Sequence, residues 1–150
     1  MNKFMRAAIN EAYRGIKNRE GGPFGAVIVK DGKIIARGHN QVLKNGDATC
    51  HGEMQAIRRA SKKLGTHDLS GCEIYTTGEP CPMCLGGIMW ANIDRVYYGC
   101  NTLDTEKIGF RDKRFYEQTE NERKEFVVEC EREACLKLYE DYKNENHENY

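Results

Sequence analysis

Apolar positions recur with helical spacing near the start of the chain. Phe4, Ala8, Ala12 and Ile16 fall on one stripe, which Tyr13 widens. This predicts an amphipathic helix that ends at the break Gly21-Gly22-Pro23. Residues 25–29 and 33–36 are apolar runs flanking Asp31-Gly32, a pair that favours a two-residue turn, so a β-hairpin is predicted there. A second helix is expected from about residue 51 to 64, a strand at 73–77, a helix through Leu85, Ile88 and Met89 to about residue 91, and a strand at 95–99. Strand, helix and strand without a tight turn imply a parallel crossover. Residues 125–129, Glu-Phe-Val-Val-Glu, read as a fifth strand, and a last helix is expected over about 131–143, before a polar tail at 144–150. The expected fold is α/β: a three-layer α/β/α arrangement around a central five-stranded mixed sheet.

Composition narrows the class of protein. At 150 residues, one domain spanning 1–150 is expected, large enough to bury a core. No apolar run approaches a membrane span and the first residues do not lead into a signal-peptide core, so no membrane role is expected. Seven cysteines at irregular spacing, an odd number, read as reduced thiols and a cytoplasmic location. The zero net charge conceals an asymmetry: residues 1–67 carry 13 Lys/Arg against 5 Asp/Glu, and residues 68–150 carry 10 against 18. The acidic stretch from Glu117 onward would repel a polynucleotide, so a nucleic-acid partner is not expected.

The chemistry lies in two short segments. His51-Gly52-Glu53 is followed, after 26 intervening residues, by Pro80-Cys81-Pro82-Met83-Cys84. One imidazole and two thiolates can hold Zn2+ at three corners of a tetrahedron and leave the fourth to water. A neighbouring carboxylate can then move that water's proton. Cys81 and Cys84 are three apart, so both sulfurs can face one ion from a first helical turn, and Pro82 suits the first helical position. His51 and Glu53 can share the ion only if His51 sits at or before the start of its helix, which places the metal between two helix N-termini. A closed structural site would need a fourth ligand, and no further Cys or His stands at ligand spacing. The order H-x-E…P-C-x-x-C is the described signature of zinc-dependent base deaminases.

Beyond the motif, the chain resembles the cytidine deaminase superfamily over nearly its whole length. Gly22-Pro23-Phe24-Gly25-Ala26, the run from Glu79 to Gly86, Trp90-Ala91 and Ile108-Gly109-Phe110-Arg111-Asp112 are most similar to bacterial guanine deaminases. Arg37-Gly38-His39-Asn40, Gly46 and Ala48-Thr49, leading into His51-Gly52-Glu53, resemble fungal cytosine deaminase instead. Guanine deaminases usually carry Ala or Val in place of Gly52, and an acid in place of Arg111. The resemblance implies hydrolysis of guanine to xanthine and ammonia, with His51, Cys81 and Cys84 binding zinc and Glu53 shuttling the proton. It implies that Asn40 hydrogen-bonds the base edge, Phe24 stacks on the ring, Asp112 recognises ring N–H or amino groups, and Trp90 lines the pocket or a subunit contact. It also implies a homodimer that can exchange C-terminal segments, with Tyr150 near the partner's pocket. Cytosine, adenine, guanosine and adenosine in transfer RNA remain alternative substrates at this stage. A non-catalytic zinc-binding interaction module is the alternative from another class, and it would not require the intact Glu53.

Overall fold

The structure is a computed structural model describing residues Met1–Tyr150, which fall into two compact units, 1–116 and 117–150. In the first unit, helix α1 (Lys3–Lys17) leads into strands β1 (Gly25–Lys30) and β2 (Lys33–His39). The short α2 (Val42–Asn45) and then α3 (Gly52–Leu64), β3 (Cys72–Gly78), α4 (Pro82–Trp90) and β4 (Arg95–Cys100) follow. Two further short helices, α5 (Thr102–Lys107) and α6 (Asp112–Tyr116), complete the unit.

The sheet order is β2-β1-β3-β4, with β1 antiparallel to both β2 and β3, and β3 parallel to β4. The predicted hairpin is present: Asp31 and Gly32 both adopt positive φ, at 50° and 74°, as a tight turn matched to strand twist requires. Strand alternation divides the core in two. Ala26 and Ile28 of β1 point to the side packed with Ala56, Ala60 and Ile88 from α3 and α4. Val27 and Val29 point to the opposite side, against Ala7 and Ala8 of α1. Helices therefore cover both faces of a mixed sheet, as expected.

Three details differ from the sequence reading. The sheet has four strands. The segment read as a fifth is instead the end of α7 (Glu120–Phe126) and a non-repetitive stretch after it. A capping box between Thr119 and Glu122 starts that helix, and a Lys124–Glu120 pair one turn apart supports it, which local β-propensity does not register. On α1, the buried face is Ala7, Ala8, Glu11, Ala12 and Gly15, whereas Tyr13 and Ile16 are exposed.

The second unit contains α7 and α8 (Arg132–Lys143). Its large apolar side chains, including Phe126, Val128, Tyr139 and Tyr150, are exposed. No helix of the chain is long and apolar enough to cross a membrane.

Candidate active site

Two loops end at the same place. His51 is the N-cap of α3 and Cys81 the N-cap of α4, both in extended backbone conformation, and neither side chain caps its own helix. Pro82 occupies the first turn of α4. The side chains that would otherwise cap are turned toward each other: His51 Nδ1 lies 3.6 Å from Cys81 Sγ and 3.5 Å from Cys84 Sγ. Bond lengths of about 2.3 Å to sulfur and about 2.0–2.1 Å to nitrogen at a tetrahedral angle put N and S about 3.5 Å apart around one zinc ion. The observed separations match that edge, and the three ligand atoms lie within 4.8 Å of one another. Cys50, next in sequence to His51, is engaged elsewhere: its sulfur accepts from Asn45 Nδ2 at 3.5 Å. The set is therefore open, with no fourth protein ligand.

Electrostatics within the cluster agree with a cation site. Hydrogen bonds from Cys84 and then His51 bring the Cys81 thiol down to about 4. Sharing with Cys81, together with burial, pushes Cys84 up, and the contact with Cys81 raises His51. A proton is thus held among three donors that a dication would replace.

Glu53, in the first turn of α3, is buried, and burial raises its pKa. Its Oε2 is 3.4 Å from Cys84 Sγ and its Oε1 3.4 Å from the Thr76 hydroxyl. A carboxyl buried this way beside the His51, Cys81 and Cys84 cluster is placed to accept and return a proton.

His51 and Glu53 open onto a cavity of about 500 Å³ whose walls include Phe24, Asn40 and Asp112. The Phe24 ring meets Phe110 edge-on, with centroids 4.9 Å apart and planes at 82°. Asn40 follows β2; its N–H donates to the Phe24 carbonyl and its Oδ1 accepts from Val42 N–H. Asp112 opens α6, and burial, followed by the Cys81 thiolate, raises its pKa. Tyr116, at the other end of α6, donates to the Pro80 carbonyl at 2.6 Å, tying that helix to the cysteine loop. Trp90, at the end of α4, is two-thirds exposed and takes no part in lining the cavity. Glu79, Leu43 and Arg111 also line it. Gly52 has a steric reason: a Cβ there would meet the Phe24 carbonyl at 3.0 Å and His39 Cα at 3.4 Å.

A His/Cys/Cys cluster at zinc-ligand spacing, a buried carboxylate beside it and an adjoining cavity define a hydrolytic zinc enzyme of the deaminase class. Residues 1–100 match the cytidine and deoxycytidylate deaminase zinc-binding region, and the chain belongs to that family. It is 46% identical to guanine deaminase of Bacillus subtilis (strain 168) over 125 residues, covering 83% of this chain and 80% of that protein. The solved structure of guanine deaminase from Bacillus subtilis superposes with a TM-score of 0.90 at 39% identity, covering 100% of this chain and 99% of that one. A tRNA-specific adenosine deaminase of Aquifex aeolicus (strain VF5) is 43% identical over 95 residues, 63% of this chain and 62% of its own length.

Proposed function

We propose that this chain hydrolyses guanine to xanthine and ammonia. One observation carries the reading: the His51/Glu53 corner opens into a single cavity that also presents Phe24, Asn40 and Asp112. Likeness to the Bacillus guanine deaminase along the whole chain supports the choice of base. Zinc held by His51 Nδ1 and the sulfurs of Cys81 and Cys84 would supply a water of pKa about 7.

The remaining work belongs to side chains. Glu53 is placed to take one proton from the attacking water and deliver it to the ring nitrogen beside the reacting carbon, and to pass a second, from the hydroxyl so added, to the departing amino group. Its raised pKa suits a group that must both accept and give. Phe24, braced edge-on by Phe110, offers a flat face for stacking. Because Asn40 Oδ1 is engaged by Val42 N–H, its Nδ2 is the group offered to an acceptor on the base edge. Asp112, when ionised, only accepts, and so suits ring N–H or amino groups.

Residues 1–150 act together as one deaminase domain, and the working form is a homodimer in the cytoplasm, with C-terminal segments exchanged between subunits. The exposed apolar side chains of residues 117–150 favour such cover by a second copy, the seven unpaired cysteines suit a reducing compartment, and Trp90 is suited to the subunit contact. The acidic balance of that segment disfavours nucleic acid.

The test is ammonia release by purified, zinc-assayed protein from guanine, cytosine, adenine, guanosine and transfer RNA. Guanine is expected to react and the others to be poor substrates. Turnover of cytosine with guanine inert would overturn the assignment.

A further inference from the structure

Asn40 is flanked by two buried residues, His39 and Gln41, that do not face the cavity. Both are held by one residue far away in sequence. Glu20 Oε2 accepts from His39 Nε2 at 2.5 Å and from Gln41 Nε2 at 2.9 Å, so a single carboxylate oxygen grips the chain on either side of Asn40. Its other oxygen is 3.4 Å from Lys44 Nζ, and its backbone carbonyl accepts from the N–H groups of Leu43 and Lys44. The grip extends into both helical layers. His39 Nδ1 meets Glu11 Oε2, on the buried face of α1, at 2.9 Å. Gln41 Oε1 accepts from Gln55 Nε2 on α3, the helix capped by His51. Both nitrogens of the His39 ring thus face carboxylate oxygens.

None of the side chains that the Glu20 carboxylate meets, His39, Gln41 and Lys44, lines the cavity, whereas Asn40, held between the first two, does. Gly21, the next residue, allows the close approach: a Cβ there would collide with Asn40 Oδ1 and its carbonyl. Hydrogen bonds from His39 and Gln41 hold the Glu20 carboxyl down to about 2, so it is an anion under assay conditions.

We propose that Glu20 is the positioning residue for Asn40: by clamping His39 and Gln41 together it fixes the angle at which the Asn40 amide meets the base. The proposal rests on Asn40 acting as the base-edge donor. Glu20 touches neither the zinc ligands nor Glu53, so its loss should weaken substrate binding and spare the chemical step.

The experiment is a double-mutant cycle on guanine deamination with the zinc-loaded enzyme, measuring KM and kcat for Glu20→Ala, Asn40→Ala and the pair, with thermal melting and zinc content recorded for each. Each single variant should raise KM about tenfold with kcat changed less than about twofold, and the double variant should be no worse than Asn40→Ala, as residues acting through one contact are not additive. Glu20→Gln keeps an oxygen for both donors and should return KM to within about threefold of wild type, a rescue that loss of charge alone does not allow. If Glu20→Ala does not fold, Gln41→Met, which removes one side of the clamp, enters the same cycle. An unchanged KM in Glu20→Ala beside a raised one in Asn40→Ala overturns the positioning role alone, as does a double variant whose effects multiply. An unchanged KM in Asn40→Ala overturns the reading of Asn40 and the proposal with it.

Discussion

At the scale of single residues, Glu53 carries the sharpest expectation. Its carboxyl lies beside the zinc donors without being needed to complete them, so Glu53→Gln should keep bound zinc. Turnover should fall by at least about 10²–10⁴-fold, the usual contribution of a general acid–base group, as read by metal analysis and ammonia release on one sample. Activity close to wild type in the zinc-loaded variant would remove Glu53 from the mechanism. Glu20 gives a second test, in stability. Its pKa is lowered from 4.5 to about 2, chiefly by the hydrogen bond from His39. A folded-state pKa below the unfolded one means the ion stabilises the fold fully above 4.5 and loses that contribution as pH falls toward 2. Residue 20 cannot titrate in Glu20→Gln, so the Tm advantage of wild type over that variant should shrink across this window; a constant gap would contradict the linkage. That His51, Cys81 and Cys84 would meet, with Glu53 beside them, was legible in the sequence because the motif's spacings are short. The grip of Glu20 on His39 and Gln41 was not, because it joins positions 19 and 21 residues apart that only the packing of α1 against the sheet brings together.

At the scale of elements, the site depends on how closely α3 lies on β2. Gly38 sets that distance: a Cβ on it would meet the Ala56 nitrogen and the Gly52 oxygen, both at 2.6 Å. These are backbone atoms of a helix, which cannot turn aside. Gly38→Ala should therefore displace the start of α3, costing about 1–3 kcal/mol as overpacking does, with zinc affinity reduced because His51 moves with the helix. Thermal melting with a zinc titration checks both; an unchanged Tm would mean that the layers can separate at no cost. The strands around the site could be read from alternation and the Asp31-Gly32 turn. Residues 125–129 misled because a strand exists only with a partner along its edge. A run of Phe-Val-Val cannot say whether one is there, whereas the capping box just upstream favours a helix locally.

At the scale of the whole molecule, the exposed apolar side chains of residues 117–150 set the expectation of a dimer. Sedimentation should show a homodimer at micromolar concentration, and removal of residues 144–150 should lower activity; a fully active monomer would sink that reading. The position of His51 and Cys81 has a consequence for how the protein behaves without its ion. Each stands where Ser, Thr, Asp or Asn would ordinarily satisfy the first amides of a helix, a role worth about 0.5–2 kcal/mol, and each leaves it unfilled. Zinc held by these residues would act as a rivet for two helix starts at once. Amide hydrogens in the opening turns of α3 and α4 should exchange with solvent deuterium faster after chelation, while those of β1 and β3 keep their protection. Metal supply would therefore be felt first as local fraying at these two turns and only later, if at all, as loss of the fold.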